Sequence, residues 1–381
     1  QVFPPERRGT AMGLFSMGVV FALGLGPAIG GITIDELNWR YIFFVPLPAA
    51  ILALALGILF VPDRPQSGPA GPFDFLGYAF MCIAVFCLMT IIGNGQRDGW
   101  TSNETLTLLA LMIVGVVGFI LSQHRESGNL LDLDLFQNAR FSTAVSVSFL
   151  FGFGSFATVY IFPVFGQIVQ GYSATIAGSL LLPGSIAAAF ILPITGRLAD
   201  RFSAHKVIIA GMVIFVTAVL LMADADIDTV FWSMAFYLFI SRIGVALVSP
   251  SLNSAALAAL PPDKVHRGAG AVNMFLMLGG SCGINSLVVV LERRVEFHSD
   301  AFTSTQTSAN TATRELIGSV HGLLNEGGIP HGMRDSVALD YLGEVVSAQA
   351  NTLGFQDGFV AVGLISLCSI VPVMLLRRNQ R

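Results

Sequence analysis

Hydrophobic positions in this chain form long unbroken runs. Runs of bilayer length cover roughly 11–33, 39–61, 74–94, 105–123, 141–169, 174–195, 205–223, 230–258, 268–291 and 355–376, since about 20 apolar residues cross a hydrocarbon core as a helix. None alternates apolar and polar residues as a membrane barrel strand does. The pattern therefore predicts about ten transmembrane helices and an all-α polytopic membrane protein. Pro46, Pro48, Pro163, Pro183, Pro193, Pro250 and Pro372 fall inside the runs. Each removes a backbone donor and crowds the carbonyl four residues back, so several helices should be kinked.

The stretch 9–31 is unusually rich in small residues, with glycines at 9, 13, 18, 24, 26, 30 and 31 around Pro27. In water such a helix is penalised at each glycine and broken at the proline. In a membrane, small residues let neighbouring backbones touch, and packed neighbours re-satisfy the groups a proline frees. The first helix is thus expected to serve close contact and bending.

Composition narrows the class further. The 381 residues are 54% hydrophobic and 12% charged, with a mean hydropathy of +0.73, against about 25% charge in soluble domains. A net charge of −4 argues against a nucleic-acid partner. Lys206 and Lys264 are the two lysines, and neither sits in a phosphate-binding loop. Pumping would then draw on an ion gradient or another subunit. Cys82, Cys87, Cys282 and Cys368 all lie in apolar runs and read as small buried hydrophobes. The six histidines have no ligand spacing, so no metal site and no enzyme activity are expected.

Charge also orients the chain. With both ends on one side, the segments on that side carry Arg7, Arg8, Arg64, Arg125, Arg140, Arg197, Arg201, Lys206, Lys264, Arg267, Arg377, Arg378 and Arg381, while the short loops opposite carry Arg40 and Arg97. The positive-inside rule makes the basic side cytoplasmic. The segment 292–353 is expected as a long outer loop. Within it, 336–350 has helical apolar spacing (Val337, Leu339, Tyr341, Leu342, Val345, Val346), which suits a helix lying on the membrane surface or one packed on the protein's own rim.

An internal echo suggests a repeat. Pro4-Pro5-Glu6-Arg7-Arg8-Gly9-Thr10-Ala11 leads into the first run, and Pro261-Pro262-Asp263-Lys264-Val265-His266-Arg267-Gly268-Ala269 leads into the ninth. Internal repeats are common in secondary transporters, although Pro-Pro-acid-basic is also ordinary loop composition. Equivalent helices would lie eight runs apart. That divides the chain into 1–62, the last two helices of a first bundle; 63–125, two linking helices; and 126–381, a complete six-helix bundle. On this reading four helices are missing ahead of Gln1.

At this point the chain resembles the major facilitator superfamily, in its fourteen-helix drug:proton antiporter branch. The branch's antiporter motif, Gly-x8-Gly-x3-Gly-Pro-x2-Gly-Gly, maps onto Gly13, Ala22, Gly26, Pro27, Gly30 and Gly31, with Ala22 replacing one glycine. Asn38-Trp39-Arg40-Tyr41-Ile42-Phe43-Phe44 is similar to the start of the family's sixth helix, and Phe73-Asp74-Phe75-Leu76-Gly77 to the approach to its seventh. Gly196-Arg197-Leu198-Ala199-Asp200-Arg201 resembles the cytoplasmic gate motif, although Ser203 stands where the motif has a later glycine.

The resemblance implies multidrug efflux across the bacterial inner membrane by alternating access, driven by proton antiport and without a bound cofactor. Lipophilic or cationic small molecules, protons and membrane lipid would be its partners, with a periplasmic adaptor and an outer-membrane duct meeting the outer segment. The motif residues Gly13, Ala22, Gly26, Pro27, Gly30 and Gly31 would act as a hinge, and Gly196, Arg197, Asp200 and Arg201 as a cytoplasmic gate. Arg242, deep in the eighth run, should face a wet cavity or a carboxylate, because a guanidinium is costly in hydrocarbon. Asn253, Asn273, Phe153 and Phe156 are candidates for the substrate path, though polar and aromatic residues in membrane helices more often serve packing. No Asp or Glu occupies the centre of a run, and a proton antiporter needs a titrating carboxylate. The alternative is therefore a truncated, non-transporting scaffold or sensor.

Overall fold

The computed structural model describes residues 8–60, 73–124, 130–261 and 263–378; the side chains of 8–17, 19–20, 23, 193, 196–201 and 375–378 lie outside the description. Helices α1 (Arg8–Glu36), α2 (Pro46–Phe60), α3 (Phe75–Asp98), α4 (Asn103–Gln123) and α5 (Ala139–Ile168) follow one another in chain order, with a short 3-10 turn at Trp39–Phe43 ahead of α2. Then come α6 (Ala174–Ser179), α7 (Leu181–Arg201), α8 (Ala204–Leu220), α9 (Phe231–Leu257), α10 (Val265–Thr305), α11 (Thr311–Glu326), α12 (His331–Cys368) and α13 (Ile370–Arg378). There is no strand among the described residues. Every apolar run lands on a helix, and eight helical segments among the described residues are long and apolar enough to span a membrane, with Ala204–Leu220 a shorter apolar helix.

Packing gathers α5, α8, α9, α10, α12 and α13 into one cluster. One half of its core holds Ile161, Phe162, Phe165, Leu180, Phe215, Met234, Phe355 and Phe359; the other holds Phe141, Val145, Phe151, Ile208, Met212, Leu252 and Val272. The α5–α10 pair is held at backbone distance by glycines. A Cβ at Gly152, Gly279 or Gly283 would sit 2.0–2.2 Å from the carbonyl oxygens of Leu276, Phe149 or Phe153. Small residues allow this approach, which no larger side chain tolerates.

The α3–α4 hairpin packs on α10. Its end is organised by Asp74, which caps α3 by accepting from the Gly77 amide at 2.8 Å and also accepts from Ser122 and Gln123 at the end of α4. Gln123 in turn accepts from the Leu131 amide. This explains Phe73-Asp74-Phe75-Leu76-Gly77: a Cβ at Gly77 would lie 2.2 Å from the Asp74 carboxylate and 2.8 Å from Gln123. At the same end, Asp132 receives Lys264 at 3.1 Å and Arg267 at 3.6 Å. The second echo segment thus clips the start of α10 to the approach to α5. Residues 1–7 of the first echo lie outside the described residues, as do 61–72 between α2 and α3.

Two expectations change. The segment 292–353 is helical and not a long loop: α10 runs on to Thr305, α11 spans Thr311–Glu326, and α12 begins at His331. With 41 residues, α10 is about 60 Å long, twice a hydrocarbon core. A helix in water lacks the apolar run that marks a span, so hydropathy alone does not reveal its polar part. The helical spacing at 336–350 is real, but it belongs to the first half of α12. The run 174–195 is also divided, between α6 and α7 at Leu180.

Candidate functional site

Helix α1 meets the rest of the protein through α6 and α7, and it does so on one face. Gly24, Ala28 and Gly31 are buried, spaced four and three residues apart, the spacing that stacks residues along one side of a helix. A Cβ at Gly31 would lie 2.3 Å from the Ala174 carbonyl oxygen, and one at Gly24 2.1 Å from Ser185. Reciprocally, a Cβ at Gly178 would lie 2.3 Å from the Pro27 carbonyl oxygen. The seam is therefore backbone on backbone along α1.

Pro27 sits inside α1, where its missing amide leaves one intrahelical bond unmade. Gly26 and Gly30 stand off the seam, with nothing within 4 Å of a Cβ built on them, and Ala22 is exposed. The structure thus separates the antiporter motif into two sets. Pro27 and Gly31 are in contact with α6; Ala22, Gly26 and Gly30 are not. Gly13 lies on α1, with its surroundings outside the described residues. Gly24 and Gly178, which the motif does not single out, carry as much of the seam as Gly31. Their signal was in the sequence as small residues at 24, 28 and 31, but the partner on α6 is a non-local match.

Past the end of its apolar run, α1 makes a charged contact. Asp35 accepts a hydrogen bond from the backbone amide of Thr175 at 2.8 Å. The Thr175 hydroxyl and amide hold this carboxyl below its ordinary value of 3.8, against a smaller opposing effect of burial. Thr175 is in the first turn of α6, where amides lack intrahelical partners and the helix dipole favours an anion.

Arg242 lies midway along α9, against α7. A Cβ at Gly184 would come 2.7 Å from the Arg242 Cγ, so glycine leaves room for the arginine stem. Its Nε and Nη2 are buried without a hydrogen-bond partner. Gly184 adjoins Ser185, the residue that faces Gly24, so α1, α7 and α9 line up at this depth as Gly24, Ser185, Gly184 and Arg242.

The residues proposed for a substrate path lie on three helices, α5, α9 and α10. Phe156 packs its ring over Gly280, and the Phe153 carbonyl faces Gly283, both within the α5–α10 contact. Asn253 and Asn273 are exposed on α9 and α10. A cavity of about 570 Å³ instead opens beside α5 and α10, lined by Phe136, Ser142, Val145, Ser146, Phe149 and Phe275 among others. Its wall is apolar except for two hydroxyls, and Ser146 spends its own on the Ser142 carbonyl. That size suits a drug-like molecule. The gate residues Gly196, Arg197, Asp200 and Arg201 fall on the last turns of α7, with side chains outside the description.

At the far end from the basic segments, Asp357 on α12 accepts from Arg294 Nε at 2.6 Å and bonds His298 Nε2 at 2.7 Å, both on α10. Gly354, one turn earlier, lets α12 approach Val295. No cluster of three or more His, Cys, Asp or Glu with metal-holding geometry occurs among the described residues.

A bundle of apolar helices joined by glycine seams, at α1–α6 and at α5–α10, is an all-α polytopic membrane protein. The chain belongs to the Major Facilitator Superfamily, whose profile matches residues 1–284. It is 29% identical over 77% of its length to the multidrug transporter protein MdtP of Bacillus subtilis, covering 54% of that protein. Against the methylenomycin A resistance protein of Streptomyces coelicolor it is 26% identical, covering 76% of this chain and 61% of that one. Against the multidrug export protein EmrB of Haemophilus influenzae it is 23% identical, covering 97% and 72%. The chain thus spans little more than half the length of some curated relatives. Among solved structures, a bacterial homologue of the lysosomal transporter Spinster, crystallised inward-facing and unoccupied, is similar in fold. Its TM-score is 0.53 at 14% identity, covering 99% of this chain and 72% of that one.

Proposed function

We propose that this chain acts in secondary active efflux of drugs or other amphipathic small molecules across the bacterial inner membrane, coupled to inward proton movement through alternating access. The observation that carries the reading is the seam between α1 and α6–α7, built from Gly24, Gly31 and Gly178 with the Pro27 carbonyl in contact. A flat backbone contact has no interdigitated side chains to unpick, so two helix groups can separate and re-dock along it. The names of relatives such as MdtP and EmrB support drug efflux as the activity.

In this reading α1–α2 belong to a first bundle, α3–α4 are linking helices, and α5 to α13 form the second bundle. The cavity beside Phe149 and Phe275 receives cargo. The basic segments face the cytoplasm, with both ends of this chain on that side. The helical projection formed by α10, α11 and α12 is then outside, where it offers a surface to a periplasmic adaptor leading to an outer-membrane duct. Leu323, Met333, Leu339 and Tyr341 are exposed on this projection.

The test is efflux of a fluorescent dye from cells making the full-length protein, with and without an uncoupler. Uncoupler-sensitive efflux supports the reading. Membrane-inserted protein without efflux favours the non-transporting scaffold.

A further inference from the structure

The Arg242 guanidinium has a cost that no described residue offsets. Two of its nitrogens are buried with no hydrogen-bond partner, and an unpaired charge in a low-dielectric interior is expensive unless an anion meets it. The helices packed around α9 are α5, α7, α8 and α10. Neither α5, α8 nor α9 contains an Asp or Glu, and the acids of α7 and α10 begin at Asp200 and Glu292. Asp200 is sixteen residues beyond Gly184, about 24 Å along the helix. On α1, Asp35 is eleven residues from Gly24, about 16 Å away. Arg242 itself lies eleven residues from the start of α9 and fifteen from its end, too deep for its stem to reach either surface. A guanidinium also keeps its charge at any working pH and presents a planar fork of donors that fits a carboxylate, so it is suited to binding an anion and not to carrying a proton.

We infer that Arg242 is an anion-binding residue of the transport pathway, selecting cargo that carries a carboxylate or similar acidic group on an apolar body. The inference rests on the transport reading above and narrows it: a deeply placed positive charge favours acidic amphiphiles over cations. Its place one helix behind the α1–α7 contact puts the charge next to the surface that opens, and Gly184 keeps the space into which the stem folds.

The test uses two dyes on the same xanthene ring, anionic fluorescein and cationic rhodamine 6G, binding to purified full-length protein in detergent by fluorescence anisotropy. Arg242→Gln should weaken fluorescein binding at least about tenfold, the scale of a charge-assisted hydrogen bond, and leave rhodamine 6G unchanged. Arg242→Lys, which keeps the charge, should retain part of the fluorescein affinity. Equal losses for both dyes in both variants would mark a structural arginine and overturn the inference, as would fluorescein binding indifferent to Arg242→Gln. Wild-type protein that binds rhodamine 6G and not fluorescein overturns it while leaving the transport reading standing; if neither dye binds, both fall.

Discussion

The Thr175 amide on α6 donates to the Asp35 carboxylate on α1 at 2.8 Å, closing the seam at the end remote from the basic segments. Four residues below it Gly31 lies against Ala174, so a charge contact and a glycine contact act within one turn. Because the contact lowers the Asp35 pKa, it favours the ionised form. By linkage it is fully present above the ordinary carboxylate value of 3.8 and lost as pH falls below it. The contact therefore holds Asp35 in its ionised form. Deuterium uptake at 174–178, corrected for intrinsic exchange, should stay slow from neutral pH down to about pH 4 and rise below it. In Asp35→Ala it should be fast at every pH.

The two sets of motif glycines should separate on substitution. Gly31→Val and Gly178→Val push a side chain into a facing backbone carbonyl and should open the seam and abolish efflux. Gly26→Val meets nothing across the seam. It should leave α1 docked, as read by cross-linking between α1 and α6, while abolishing efflux through loss of bending near Pro27. Normal efflux by Gly26→Val removes the hinge.

Asp357→Asn should lower the melting temperature of the detergent-solubilised protein modestly. Arg294 is 41% exposed and Asp357 34%, so solvent screens the pair and its worth is about 1 kcal/mol or less. Arg294→Ala should cost less, because Asp357 keeps its contact with His298, and the double variant should cost little more than Asp357→Asn alone.

Asp74→Ala should cost more for its size. It removes the α3 cap, worth about 1 kcal/mol, and also strands Ser122 and Gln123, which both donate to the same carboxylate. Thermal unfolding followed by labelling of Cys87, buried on α3, should begin at lower temperature in this variant than in Asp74→Asn.

Spans were legible because a helix in lipid must be apolar nearly all round, so the runs in the sequence fall on helices, although 174–195 is divided between α6 and α7. The outer segment was not, for the converse reason: beyond the membrane α10 and α12 turn polar while remaining helical, and hydropathy stops reporting them. The seam was half legible. Its small residues stand out in the sequence, but which of them touch depends on the face α1 turns to α6. That face runs through Gly24, Ala28 and Gly31 and leaves Gly26 and Gly30 aside. Arg242 was legible as a buried charge, whereas its neighbour Gly184 was one of 40 glycines until the helices were placed.

The central claim is that α1 must part from α6 for cargo to cross. Cysteines replacing Asp35 and Thr175, joined by a short reducible cross-linker in full-length protein reconstituted into proteoliposomes, test this directly. The same protein before cross-linking serves as the reference. Dye transport driven by a proton gradient should stop on cross-linking and return on reduction. Transport that continues at the reference rate with the two helices tied together would contradict the account.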